Sequence, residues 1–311
     1  MTSERRSSRV SVGHVFLDSP LIIASGTWPH EAGFWKAPVC SGASAACTKA
    51  LTLHAREGNP GIRLWETPCG LLNSIGLQNQ GIDRFLSEDL PKISAKDLKV
   101  IANVAMETEE ETEAVLSRLS RFSELLAAVE LNISCPNVDA GGMAWGSDPR
   151  QAARAIRLAR QNWKGPLWAK LTPQCAEISL VAKASEEAGA DALVVANTWL
   201  GMAIDTSSEK PVFKRCVAGL SGPAVFPLAL RLVWEVSSSV GIPVIGCGGI
   251  SKSDDVISMM LAGASAVEIG TLHFADLSCF RKLQEGILEH LAAKGYSSPM
   301  ELIGRGKRKD V

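Results

Sequence analysis

An alternation constrains this chain more than any other feature. Short apolar, β-branched runs recur along its length, each followed by a longer amphipathic or Ala-rich run, the pattern of a parallel sheet covered by helices. Eight strand candidates stand out: Leu21–Ala24, Ser44–Cys47, Leu98–Val104, Ala128–Ile133, Pro166–Leu171, Ala192–Ala196, Ile242–Gly246 and Ala266–Ile269. At or just beyond the end of each lies a small, amide or charged side chain: Ser25, Lys49, Asn103, Asn132, Lys170, Asn197, Gly248 and Gly270. Eight such units fit a (β/α)8 TIM barrel, in which the carboxyl ends of the strands build the active site.

The helical runs have legible ends. Thr112–Ala127 places Val115, Leu116, Leu119, Phe122, Leu125 and Leu126 on one face, and the preceding glutamates favour a helix start through the dipole. Asp148-Pro149 reads as a cap followed by a first-turn proline, and Ser253-Asp254-Asp255 opens another helix. The run Ala188 to Val194 is echoed by Ala262 to Glu268, each a helix stop leading into a strand. Two stretches, Arg56–Gly81 and Trp199–Pro227, are rich in Gly, Pro and Asn and read as long loop excursions over the barrel mouth. No linker divides the 311 residues, so a single barrel domain over 1–311 is expected.

The remaining bounds are exclusions. A hydrophobic fraction of 46% with 21% charged residues supports a large core and removes disorder. A net charge of -1 lacks the footprint of a nucleic-acid or anionic-membrane binder, which leaves a small molecule or another protein as partner. No apolar run reaches membrane-spanning length, and the polar start, Met1 to Val10, does not read as an export signal. The 8 cysteines lie scattered, with neither a C-x-x-C pair nor metal-ligand spacing, so a reducing cytoplasm and no metal are expected.

Chemistry concentrates at the strand ends. Gly246-Cys247-Gly248-Gly249-Ile250-Ser251 ends one strand candidate and opens a helix, and Gly270-Thr271 ends the next. Glycines let backbone N–H groups approach an anion, and barrels place phosphates at these last two loops; tight turns are the plainer alternative. Lys49 and Lys170 close apolar strands, where a charge needs an anionic or polar ligand, unless both are simply solvated. Asn103, Asn132 and Asn197 at equivalent positions each offer a donor and an acceptor to a planar heterocycle, or else cap the backbone. Cys135, within Glu130-Leu131-Asn132-Ile133-Ser134-Cys135-Pro136-Asn137, lies just beyond a strand and is either a catalytic thiol or a buried, inert one.

Taken together, these residues resemble the dihydroorotate dehydrogenases of class 1. The resemblance runs from about Val12 to Gly304 and is carried by Ala24-Ser25-Gly26-Thr27, Arg56-Glu57-Gly58-Asn59-Pro60, Leu72 to Asn79, Asn132 to Asn137, Asn197-Thr198, Gly201 to Asp205 and Gly219 to Pro223. The Asn73 and Met202 loops look most like the NAD-linked form. What the resemblance implies is an FMN-binding barrel that oxidises dihydroorotate to orotate in pyrimidine biosynthesis. Ser25, Thr48, Lys49, Asn103, Asn132, Lys170, Ala196, Gly222, Gly248, Gly249, Gly270 and Thr271 would surround FMN. Lys49, Asn73, Ser74, Ile75, Gly76, Leu77, Asn132, Asn197 and Thr198 would meet the pyrimidine. Cys135 would take the proton from C5 while hydride leaves C6 for the flavin. The same resemblance implies a homodimer core recruiting an electron-transfer subunit that carries FAD and a 2Fe-2S cluster. Trp28, Cys69 and Trp199 depart from the family's wording beside its motifs.

Two other enzymes suit parts of this pattern. A Schiff-base lyase or isomerase would use the phosphate loops with Lys49 or Lys170, and an FMN-dependent dihydropyrimidine dehydrogenase would share most of the flavin site.

Overall fold

The computed structural model describes residues 7–134 and 145–307. Eight parallel strands close into a barrel, numbered here in chain order: β1 (Leu21–Ile23), β2 (Ala45–Cys47), β3 (Lys99–Ala105), β4 (Ala128–Asn132), β5 (Leu167–Lys170), β6 (Ala192–Val195), β7 (Val244–Cys247) and β8 (Ala264–Ile269). Each pairs with its neighbours in sequence, and β8 returns to pair with β1 through Val267 to Ile269 and Leu21 to Ile23. All eight expected strands are present, with ends shifted by two residues or fewer. Their apolar runs are continuous because both faces are covered, by helices outside and by packed side chains within.

The helices bury their stripes against this cylinder. In Pro149–Asn162 the buried residues are Ala152, Ala153, Ala155, Ile156 and Ala159, mostly small side chains that let the helix lie close to the strands. Its start is held by Asp148, whose carboxylate accepts from the backbone N–H groups of Arg150 and Gln151. Near its other end, Arg160 ties helix to barrel: its guanidinium donates to the carbonyls of Gly165 and Gly189 and lies 2.6 Å from Asp191.

One helical expectation is corrected. The helix expected from Thr112 begins at Glu109, capped by Thr108, and its α form stops at Leu119. Ser120–Leu125 continues as a tighter 3-10 turn broken at Phe122, so Phe122 and Leu125 leave the buried stripe of Val115, Leu116 and Leu119.

The two excursions are more than loops. Leu64–Thr67 and Gly70–Asn73 from the first pair with Val217–Ser221 and Trp199–Met202 from the second in one antiparallel sheet. Leu72, Phe213 and Ala218 form its own small core. Segments on separate arms of the chain thus lock into one roof over the strand ends.

Candidate active site

Two strands place a lysine at or beside the mouth. Lys170 is the last residue of β5, buried between side chains of β4 and β8. Its ammonium lies 2.5 Å from Glu268 Oε2 of β8, 3.5 Å from Glu130 Oε1 of β4 and 3.5 Å from Ser25 Oγ beyond β1. Burial alone would lower its pKa, but the charges of Glu130 and Glu268 outweigh that and hold it well above the ordinary lysine value. Lys170 is therefore a fixed cation. Lys49, beyond β2, is half-buried: its ammonium donates to Gln78 Oε1 at 2.9 Å, and its backbone N–H to His30 Nε2. Burial first, then the nearby Arg63 charge, lowers its pKa.

The acids around Lys170 were not anticipated. Asn103 of β3 donates to Glu130 Oε1, and the Asn103 backbone N–H donates to Thr48 Oγ1. Cys47 Sγ lies 3.5 Å from Glu268 Oε1. Ligand atoms of Cys47, Glu130 and Glu268 fall within 4.8 Å of one another, a juxtaposition that sequence spacing cannot show. The Lys170 ammonium supplies one positive charge to this group. Burial, then the neighbouring acids, raises Cys47 well above a normal thiol, and burial pushes Cys247 up to about 12. Both thiols stay neutral, as packing residues do.

A second network lies on the adjoining strand ends. Asn132 Oδ1 accepts from Ser134 Oγ at 2.5 Å and from Asn197 Nδ2 at 3.3 Å, and Asn197 Nδ2 also reaches Ser134 Oγ at 2.5 Å. Asn197 Oδ1 accepts from the Thr198 N–H, and Thr198 O from Gln174. Asn132 and Asn197 are thus joined at the mouth, whereas Asn103 pairs with Glu130 inside β3, two residues before its end, and Asn132 pairs with Ala105, so the three amides expected at equivalent positions are not in register. The role of Ser134 as their bridge was not anticipated; its position two residues after Asn132 was the available signal. Ala196 sits between β6 and Asn197, its N–H bonded to Cys247 O.

Three glycines of the loops hold backbone conformations and close internal contacts that a side chain would disturb. Gly222, Gly248 and Gly249 have φ of 94°, 129° and 76°, in the region L side chains avoid. A Cβ on Gly249 would sit 2.4 Å from Phe226 N, whereas one on Gly270 would meet only ordinary contacts, the nearest at 3.5 Å. Trp199 packs its ring edge against Gly248, which gives this departure from the family wording a place in the cradle wall. Thr271 Oγ1 bonds Ser221 Oγ at 2.8 Å, linking the β8 loop to the roof sheet. Trp28 is buried, edge-on to His273 at 5.2 Å, and Cys69 is exposed with its carbonyl bonded to Ala224 N.

The roof supplies the other wall. Asn73 Nδ2 donates to Gly219 O, and Asn59 Nδ2 donates to Ser74 Oγ while its N–H meets Ile75 O. Gly76 and Leu77 both take positive φ, 72° and 55°, and Leu77 O accepts from Asn79. Cys135 and Gly141-Gly142 lie outside the described residues.

The closed barrel and the polar side chains gathered at the carboxyl ends of its strands define an α/β-barrel enzyme. The family profile described as Dihydroorotate dehydrogenase matches residues 8–291. The chain belongs to the dihydroorotate dehydrogenase family. It is 43% identical over 295 residues to a Geotalea daltonii protein named dihydroorotate dehydrogenase B (NAD(+)), catalytic subunit, covering 95% of this chain and 96% of that protein. Proteins of the same name from Thermoanaerobacter sp. and Bacteroides thetaiotaomicron are each 41% identical, covering 95% of this chain and 97% of theirs. Among the described residues no helix is long and apolar enough to cross a membrane.

Proposed function

We propose that this chain is the catalytic subunit of an NAD-linked dihydroorotate dehydrogenase, oxidising dihydroorotate to orotate. The observation that carries the reading is the meeting of Lys49, Asn103, Asn132, Lys170 and Asn197 at or just inside adjoining strand ends, beside loops in which Gly222, Gly248 and Gly249 take positive φ. Relatives named as catalytic subunits of the B-type enzyme support it.

FMN suits the donor set: Gly222, Gly248, Gly249, Gly270 and Thr271 would hold its phosphate end, while Ser25, Thr48, Lys49, Asn103, Asn132, Lys170 and Ala196 would hold the ring. Asn103 Oδ1 is buried with no protein partner among the described residues, as expected of an atom kept for a ligand. Bound FMN supplies the hydride acceptor. The protein's part is orientation and proton removal. Lys49, held by Gln78, meets the substrate carboxylate; Asn132 and Asn197, fixed by Ser134, and Asn73 to Leu77 with Thr198 meet the ring amides. Cys135 takes the C5 proton.

In the rival Schiff-base lyase, Lys49 or Lys170 would have to lose its proton to attack a carbonyl; the buried acids oppose that at Lys170, and at Lys49, whose pKa burial lowers, borohydride trapping is the test. The partner is a separate electron-transfer subunit carrying FAD and a 2Fe-2S cluster, bound to a homodimer of one-domain chains in the cytoplasm; the seven described cysteines are free, which suits a reducing compartment. The test is reconstitution of purified chain with FMN and assay of orotate formation with a dye acceptor, dihydrouracil and dihydrothymine serving as rivals. Orotate formation with no turnover of the rivals supports the reading; turnover of the rivals alone transfers the enzyme to the dihydropyrimidine dehydrogenases.

A further inference from the structure

Two carboxylic acids and one lysine on the barrel floor do not balance if all three are charged. Glu130 and Glu268 are both fully buried, with relative exposures of 0% and 1%, and only Lys170 faces them as a cation. Two carboxylates would leave the group with an uncompensated negative charge in a low-dielectric interior, which proteins avoid by binding a proton.

The hydrogen bonds say which acid is charged. Glu268 has a donor on each oxygen: Lys170 at 2.5 Å on Oε2, and the Cys47 thiol at 3.5 Å on Oε1. Glu130 Oε1 has Asn103 and the more distant Lys170, but Glu130 Oε2 is buried with no partner among the described residues. An ionised oxygen without a donor is the costliest state of that atom, and protonation removes the charge that makes it so. The other titratable groups in the network are the thiols of Cys47 and Cys247, both neutral. Independently, burial and the Glu268 charge raise Glu130 well above the usual carboxylate range, whereas Lys170 holds Glu268 below it despite burial.

We propose that Glu130 and Glu268 share one proton, and that the single negative charge left to them is the counter-charge that sets how strongly Lys170 favours the reduced over the oxidised flavin. Lys170 reaches toward Ser25 at the mouth and so presents its charge on the cofactor side, while the acids back it from within the barrel. Glu130 and Glu268 are positioning residues: they act on the cofactor through Lys170. The inference rests on the flavin reading given above.

Because the acids share a proton, each replaces the other. Removing one leaves its neighbour ionised and the floor still neutral; removing both leaves Lys170 unbalanced. Two measurements test this. Infrared spectra of the wild-type protein at neutral pH, in H2O and D2O, should show the carbonyl stretch of a buried carboxylic acid, absent in Glu130→Gln and in Glu268→Gln alike. The ratio of affinities for reduced and oxidised FMN, obtained from the midpoint potential and oxidised-FMN binding, should change less than about threefold in each single variant. In the double variant it should rise about tenfold or more, about 30 mV for a two-electron couple.

A wild-type protein with no acid band overturns the proposal, whatever the variants do. So do single variants whose effects on the ratio sum to that of the double, since two independent charges behave that way, and so does a double variant that leaves the ratio unchanged. A wild-type chain that shows the acid band but binds no FMN overturns the cofactor reading, and with it the role given to Lys170. Binding of FMN with an unchanged ratio overturns this inference alone.

Discussion

The thiol proposed as the base at position 135 would work against a reference pKa of about 8.5, so its contribution would rest on placement as much as on basicity. Cys135→Ala should keep bound FMN and lose flavin reduction by dihydroorotate by about 10²–10⁴-fold, the usual span for a general base. Cys135→Ser should keep a small residue of that rate. Anaerobic single-turnover kinetics together with bound-flavin stoichiometry check this, and loss of FMN in both variants would make the cysteine structural instead. Glu130 gives a residue-scale prediction about stability. Burial and the Glu268 charge raise its folded pKa well above the ordinary value, so above about pH 4.3 the folded state holds a proton that the unfolded chain has released. By linkage its contribution is fully present below that pH and is lost as pH rises toward the folded pKa. Glu130→Gln carries no such proton, so denaturant unfolding of the wild type should weaken from pH 5 to pH 8 relative to the variant. Parallel curves would place an ionised Glu130 in the fold.

At the scale of elements, the glycine loops after β7 and β8 separate conformation from space. Gly249→Ala puts a side chain at φ 76° with its Cβ 2.4 Å from Phe226 N. It should cost about 1–3 kcal/mol in backbone strain and weaken FMN binding more than tenfold. Gly270→Ala meets no close atom, so it should fold as the wild type does and lose FMN affinity only through crowding of the ligand. Thermal melting of the apoprotein and fluorescence titration with FMN distinguish the two; equal melting temperatures would show that Gly249 is not constrained. The same scale marks what sequence reasoning reaches. Barrel strands announce themselves because runs such as Ala192–Val195 are apolar throughout, buried on both faces. The roof sheet does not, because Gly70–Asn73 and Trp199–Met202 are short, half-exposed, and find partners far along the chain; Asn73 and Gly219 are 146 residues apart. Lys49, Lys170 and the amides were readable as polar residues closing apolar runs. Glu130 and Glu268 were harder: each stands inside its strand, where a charge reads as noise until the barrel closes and brings Lys170 between them.

At the scale of the whole molecule, the proposed reaction is divided between two proteins. On the proposed function, the barrel would take up dihydroorotate and hold its electrons, and a separate subunit would pass them to NAD. The isolated chain, loaded with FMN, should therefore reduce an artificial dye with dihydroorotate and leave NAD untouched until the partner is added. Reduction of NAD by the chain alone would remove the need for a partner. The central claim is that this barrel mouth is a flavin site reduced by dihydroorotate. The visible spectrum of the purified protein, taken anaerobically before and after dihydroorotate is added, tests it most directly. An oxidised flavin spectrum that bleaches on addition is expected; a flavin spectrum that dihydroorotate leaves unmoved, or a colourless protein that FMN does not restore, would rule out this reading of the mouth.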